Sequence, residues 1–147
     1  MAEIEIRPLG LGDRDAWAVL RHALWPDASL QELRDELEGM IAEGLAGFGA
    51  FDDLRPVGWA EVSQRPHGDG CDTAPVAWLE GIYVVASHRR TGVGGALLEA
   101  VENWARQRDF SELGSDAELD NLTSRVSHAR WGFDETERVV RFRKALR

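Results

Sequence analysis

Two sets of residues in this chain could do chemistry: a basic, glycine-containing turn and a few acids on or beside apolar strands. The turn runs His88-Arg89-Arg90-Thr91-Gly92-Val93-Gly94-Gly95-Ala96-Leu97-Leu98, after an apolar strand and before a long amphipathic helix. Such a turn presents unpaired backbone N–H groups and the positive end of a helix dipole, with Arg89 and Arg90 alongside. It suits a phosphate-bearing ligand. No Lys-Ser or Lys-Thr follows the glycines, which excludes a Walker A loop, and Leu97 stands where a dinucleotide fingerprint needs its third glycine. The competing reading is a helix start whose glycines only pack. Among the acids Glu80 is unusual, because it interrupts the apolar run Val76-Ala77-Trp78-Leu79 of a central strand. For Asp116 and Glu137 a plain surface carboxylate is the competing reading.

The composition narrows the class of partner. At 147 residues the chain is expected to form a single domain over residues 1–147, long enough for a real core. Net charge is −9 and the pI is near 4.9, which disfavours nucleic acid and membrane surfaces and is compatible with a cationic substrate. His88, Arg89 and Arg90 are a basic spot inside this acidic chain. No apolar run reaches the roughly 20 residues of a membrane span. The first residues, MAEIEIRPLG, lack a signal-peptide core, and the single cysteine, Cys71, allows no internal disulfide. A cytoplasmic location is expected.

The elements that must position these residues follow from periodicity and punctuation. Ile4 to Leu9 alternates as a strand and Gly10 to Gly12 break it. Asp13 is the expected N-cap of a helix with Trp17, Leu20, Ala23 and Leu24 on one face, ended by Pro26 with Trp25 in the connection. Ser29-x-x-Glu32 has capping-box form and opens a second helix with Leu30, Leu33, Leu37, Met40 and Ile41 inward, closed by Gly44. Leu45–Phe51 and Val57–Val62 read as a hairpin, and Arg65–Ala74 as a mobile loop. Pro75–Val85 is a strand, Thr91–Arg108 a helix, Phe110–Ser115 a short strand and Asn121–Trp131 a helix ended by Gly132. Phe133–Glu137 and Val139–Lys144 complete the chain as two strands. The order β-α-α-β-β-β-α-β-α-β-β, with one right-handed parallel crossover, predicts an α/β fold with a mixed sheet and helices on its faces.

Arg89-x-x-Gly92-x-Gly94 after a strand ending Tyr83-Val84, in this order of elements, resembles the acyl-coenzyme-A loop of the GNAT superfamily of N-acetyltransferases. That resemblance implies splayed central parallel strands. The loop from Arg89 through Arg90, Thr91, Gly92, Val93, Gly94 and Gly95 would hold the coenzyme pyrophosphate. The main chain of Ile82, Tyr83 and Val84 would pair with the pantetheine arm as with a false strand. Trp78-Leu79-Glu80-Gly81-Ile82-Tyr83-Val84, Ser115-Asp116-Ala117-x-Leu119-Asp120-Asn121 and Gly132-Phe133-x-Glu135-Thr136-Glu137 resemble the aminoglycoside 6′-N-acetyltransferases. By that resemblance the cosubstrate is acetyl-CoA, the substrate a small cationic aminoglycoside, and the outcome antibiotic resistance. Trp25, His67, Glu80, Asp116 and Glu137 would contact the substrate, and Asn121, also a natural helix N-cap, would face the coenzyme arm.

The chemistry required agrees with these residue types. A polyamine sugar needs carboxylates and apolar walls, and Trp25 and Trp78 could supply the walls. A protonated amine must lose a proton before it attacks a thioester, so a carboxylate acts as base: Asp116 first, Glu80 second. The backbone N–H of Ile82 or a neighbour could polarise the carbonyl. His128 stands where many family members have a tyrosine acid for the leaving thiolate. Packing under the coenzyme is its competing role. Cys71 has no histidine beside it and His22, His67, His88 and His128 lack metal-ligand spacing, so neither a thiol nucleophile nor a metal is expected. A homodimer is expected from the apolar C-terminal strands and from the habit of the resembled subgroup. Two other functions fit less well: acetylation of another small polyamine or a protein amine, and a non-catalytic acyl-coenzyme-A-binding module, which would need neither Glu80 nor Asp116.

Overall fold

The structure is a computed structural model that describes residues 3–147. It comprises two compact units, Met1–Ser115 and Asp116–Arg147. In the first, strands β1 (Ile4–Leu9), β2 (Ala46–Asp52), β3 (Arg55–Arg65), β4 (Val76–Val84) and β5 (Leu113–Gly114) form a sheet in sequence order. Neighbours from β1 to β4 pair antiparallel, and β4 pairs with β5 in parallel after the crossover helix α4 (Val93–Gln107). The mixed sheet with helices on its faces is therefore present, as the order of elements predicts.

The period of β3 decides which helix covers which face. Gly58 approaches Val93 and Leu97 of α4. Trp59, pointing the other way, joins Trp17, Ala18, Leu20, Leu37 and Leu45 beneath α1 (Arg14–Leu24). Burying one tryptophan of this kind is worth roughly 4–6 kcal/mol from area alone. The second expected helix divides at Glu36 into α2 (Leu30–Asp35) and α3 (Leu37–Ala42), both of them short. Its cap is as read: Ser29 Oγ accepts the Glu32 N–H at 3.1 Å. Asp13 does stand before α1, but its carboxylate turns backward. It accepts the Gly10 N–H at 2.9 Å and both ends of the Arg7 guanidinium at 3.0 and 3.1 Å, which hold its carboxyl below the usual range.

A buried ion cluster ties α1 to the sheet. Glu61 on β3 is fully buried, as is nearly all of Arg21. Glu61 Oε1 accepts from Arg21 Nε at 2.9 Å and from Trp17 Nε1 at 3.1 Å, while Arg21 Nη1 donates to Glu36 at 2.6 Å and to the Leu33 carbonyl at 3.1 Å. Burial pushes the Glu61 carboxyl up, and the Arg21 and Trp17 donors pull it back. The Arg21 guanidinium also lies 5.1 Å over the Trp25 ring, so the cluster supports the residue that ends α1.

The second unit holds α5 (Leu122–Arg130), capped by Asn121, whose Oδ1 accepts the Ser124 N–H at 3.1 Å. The expected strands Phe133–Glu137 and Val139–Lys144 do not form: residues 133–147 carry no regular element. Their apolar side chains explain why, since Val139, Val140, Phe142 and Leu146 are all exposed. A strand needs both a pairing edge and a surface for its apolar face, and neither is met here. The strand expected over Phe110–Ser115 is likewise only Leu113–Gly114. Among the described residues no helix is long and apolar enough to cross a membrane.

Candidate active site

Glu80 owes its direction to an irregularity in the sheet. Across β3 and β4, Glu61 faces Gly81 and Val62 faces Leu79, so Glu80 is the extra residue of a β-bulge. A bulge re-aims a side chain that a regular ladder would place by alternation. Glu80 turns toward the face that carries Ser63 and Arg65, which is also the face under α1. Its Oε2 accepts from Ser63 Oγ and, at 3.0 Å, from Arg65 Nε, and its Oε1 accepts from Arg65 Nη2 at 2.6 Å. Trp25 reaches the same region: a Cβ on Gly81 would lie 2.7 Å from the Trp59 ring and 2.9 Å from the Trp25 ring. The two indoles meet edge to face at 5.4 Å. Glycine at 81 is what lets both rings close on the strand beside Glu80.

Sequence reasoning missed Arg65 and Ser63. The signal was there, because Glu61, Ser63 and Arg65 recur at the strand period of two. Ending the strand at Val62 and assigning Arg65 to a loop hid it. Trp78 needs the opposite correction. It does not wall an open cleft: it is 3% exposed, and the Arg65 guanidinium covers it at 4.5 Å from the ring centroid. His67 lies exposed in the β3–β4 loop.

The other edge of β4 opens. It pairs with β5 only at Ala77 with Leu113 and Trp78 with Gly114, so past Trp78 the strand has no β5 partner. The main chain of Ile82 and Tyr83 lies in this unpaired part, the geometry that a pantetheine arm acting as a false strand requires. The Val84 carbonyl, by contrast, already accepts from Arg89 Nε at 2.9 Å, and the Arg89 guanidinium stands 5.5 Å from the Tyr83 ring.

The turn that follows is shaped by left-handed backbone at Arg90, with φ 62°, and at Gly92, with φ 90°, the N-cap of α4. Helix α4 thus starts at Val93 rather than Thr91, leaving the N–H groups of Val93, Gly94 and Gly95 in its first turn, where no intrahelical acceptor exists. Thr91 Oγ1 donates to the His88 carbonyl. His88 does not add to the basic spot as a ligand group. Its Nε2 is 2.9 Å from Asp52 Oδ2 and its Nδ1 is 2.8 Å from Ser87 Oγ, so it ties the turn to the end of β2. A side chain at position 92 would be strained by about 1–2 kcal/mol in that conformation. Gly92→Ala is therefore expected to raise the KM for the coenzyme and to lower the melting temperature by a few degrees, measured by steady-state kinetics and calorimetry.

In the second unit Asp116 is exposed, in an irregular segment ahead of α5, and Glu137 is exposed in the irregular C-terminal stretch. His128 Nδ1 lies 2.7 Å from the Ser124 carbonyl, and its ring packs against Phe133 at 5.0 Å and Trp131 at 5.7 Å. A carbonyl can only accept, so Nδ1 carries the hydrogen, and the neutral ring presents Nε2 as an acceptor. His128 can thus act as an acid through Nε2 only as the imidazolium. Burial and the nearby Glu112, Asp72 and Asp69 carboxylates push the Cys71 thiol up, against a thiolate nucleophile. Among the described residues no group of three or more His, Cys, Asp or Glu is placed to hold a metal ion.

The open strand edge leads directly into the N–H groups at the start of α4, and comparison with known proteins identifies the family. The model of the acetyltransferase (GNAT) family matches residues 14–133. The chain belongs to this family. It is 42% identical to the aminoglycoside N(6′)-acetyltransferase type 1 of Klebsiella aerogenes, over 96% of each chain. The crystal structure of aminoglycoside 6′-N-acetyltransferase AAC(6′)-Ih from Acinetobacter baumannii superposes with a TM-score of 0.89 at 37% identity, covering 98% of this chain and 99% of that one. AAC(6′)-Iy, solved in complex with the bisubstrate analogue CoA-S-monomethyl-acetylneamine, gives a TM-score of 0.91 at 35% identity, covering 97% and 99%.

Proposed function

We propose that this chain is an aminoglycoside 6′-N-acetyltransferase, moving the acetyl group of acetyl-CoA to the 6′-amine of the drug and so conferring resistance. One observation carries the reading: likeness over nearly the whole chain to enzymes named for that reaction, one of them solved with a molecule that joins coenzyme and acetylated aminoglycoside. The family match runs from residue 14 to 133, across the division at Ser115, which supports residues 1–147 working as one acetyltransferase domain.

The residues divide the work as follows. Arg89, Arg90 and the N–H groups from Thr91 to Gly95 hold the coenzyme phosphates, and the open edge at Ile82 and Tyr83 pairs with the pantetheine amides. Val84 joins them once its carbonyl exchanges Arg89 for the coenzyme, and Asn121 faces the arm while capping α5. Trp25, His67, Glu80, Asp116 and Glu137 receive the polycation. Asp116 takes a proton from the 6′-ammonium, with Glu80 as the second candidate, and the freed amine lone pair attacks the thioester carbon. The carbon–sulfur bond breaks, the acetyl group stays on nitrogen, and the thiolate leaves with or without a proton from the His128 imidazolium. No metal takes part. Neither nucleic acid nor membrane is a partner of so acidic a chain.

The protein works in the cytoplasm, where acetyl-CoA is available, and as a homodimer. The exposed Val139, Val140 and Phe142 support the dimer, since a second copy can supply the cover that residues 133–147 lack. Thiol release from acetyl-CoA, measured with aminoglycosides that carry or lack a 6′-amino group, tests the function. Turnover confined to the 6′-amino set is expected. Equal turnover of both sets sinks the regiochemistry, and tight coenzyme binding with no turnover points to a binding module.

A further inference from the structure

Glu80, one of the carboxylates proposed to meet the substrate, is already engaged. A carboxylate has about four acceptor positions, two on each oxygen. On Glu80, Ser63 Oγ and Arg65 Nε occupy both positions of Oε2, and Arg65 Nη2 occupies one of Oε1. One position on Oε1 is left. Because Glu80 is the extra residue of a bulge, strand alternation does not fix its side chain, and this pair of donors does. Arg65 is itself fixed: its backbone pairs with Val76 in the ladder, and its guanidinium stacks on the buried Trp78 ring.

We propose that Arg65 and Ser63 are positioning residues for substrate recognition, clamping Glu80 so that a single Oε1 acceptor site faces the aminoglycoside ammonium. The clamp rests on the reading that Glu80 meets the substrate amine. Its consequence is particular. The bidentate Arg65–Glu80 pair carries no net charge, so Glu80 recognises the ammonium by direction rather than by bulk attraction. Arg65 could instead be a stand-in for the substrate, displaced when the polycation arrives. The stack on Trp78 and the fork onto both carboxylate oxygens oppose that, because leaving would break all of these contacts at once. The two alternatives differ in sign: losing a clamp weakens substrate binding, whereas losing a competitor strengthens it.

Steady-state kinetics of the full-length wild type, Arg65→Gln, Arg65→Lys and Ser63→Ala on one 6′-amino aminoglycoside and acetyl-CoA separate them. For Arg65→Gln the aminoglycoside KM is expected to rise about tenfold or more. Its kcat should fall far less, and the KM for acetyl-CoA should stay within about twofold, the split that loss of ground-state positioning produces. Arg65→Lys keeps the charge but not the fork and is expected to recover little. Ser63→Ala, which keeps the ion pair, is expected to raise the aminoglycoside KM about threefold. It carries the test alone if the Arg65 variants do not fold. An unchanged or lowered aminoglycoside KM in Arg65→Gln, full recovery in Arg65→Lys, or an unchanged KM in Ser63→Ala overturns the clamp. A wild type that turns over no 6′-amino compound overturns the proposed function, and the clamp with it, whereas an active wild type with indifferent variants overturns the clamp alone.

Discussion

Asp116→Asn is expected to lower kcat on a 6′-amino aminoglycoside about 100-fold, the usual worth of a general base, with the KM for acetyl-CoA nearly unchanged. An alkylammonium has no lone pair, and an amide side chain accepts a hydrogen bond without accepting a proton. The proposed coenzyme contacts lie on the α4 turn and the open edge of β4, neither of which contains Asp116. Glu80→Gln provides the contrast. It keeps the shape and the acceptor oxygen but loses the charge-assisted fork with Arg65, so its effect should fall mainly on the aminoglycoside KM. Should Asp116→Asn retain kcat while Glu80→Gln loses it, the base is Glu80 and the two assignments exchange.

The largest effect on stability is expected at Glu61, away from the reacting atoms. Glu61→Leu leaves the Arg21 guanidinium, 3% exposed, with only Glu36 and the Leu33 carbonyl as oxygen partners. Removing one partner of a buried pair costs about 3–5 kcal/mol, enough to consume much of an ordinary domain's stability. Urea denaturation of this variant is expected to show a sharply lower midpoint. Arg21→Met combined with Glu61→Leu removes both charges and is expected to recover most of the loss. A single variant as stable as the wild type would mean that Glu36 and the Leu33 carbonyl satisfy Arg21 without Glu61. Because Arg21 also lies over Trp25, weaker aminoglycoside binding by the double variant would show that the cluster supports the indole as well as the fold.

What was legible in the sequence followed rules that act over a few residues. The capping Ser29 and the apolar period of α4 are local signals, and the structure realises both, although α4 starts at Val93, past the left-handed Gly92, and not at Thr91. Helix α2 did not run through to Ala42, because propensity sets helical preference but not where a turn loosens. The bulge at Glu80 was illegible for a different reason. It depends on how β3 registers against β4, and one strand alone cannot reveal an extra residue opposite its partner. Glu80 stands out in the sequence as an acid in an apolar strand, whereas its donors, Ser63 and Arg65, emerge only when β3 is carried past Val62 to Arg65. Tryptophan placement shows the limit of composition. Trp17 is core as its place on the apolar face of α1 implies, but only the cross-strand neighbourhood reveals that Trp78 is covered by Arg65 and that Trp25 closes on Gly81. The tail from Val139 to Lys144 has strand-like composition and no strand, because alternation does not supply a partner edge.

Regiochemistry is where the proposed function is most exposed. A 6′-amino aminoglycoside would be incubated with the protein and acetyl-CoA, the monoacetylated product isolated, and the acetylated nitrogen located by NMR. The expected product carries one acetyl group on the 6′-nitrogen, and the matched compound with a 6′-hydroxyl stays unmodified. Acetyl on any other amine, or equal modification of the 6′-hydroxyl compound, contradicts it.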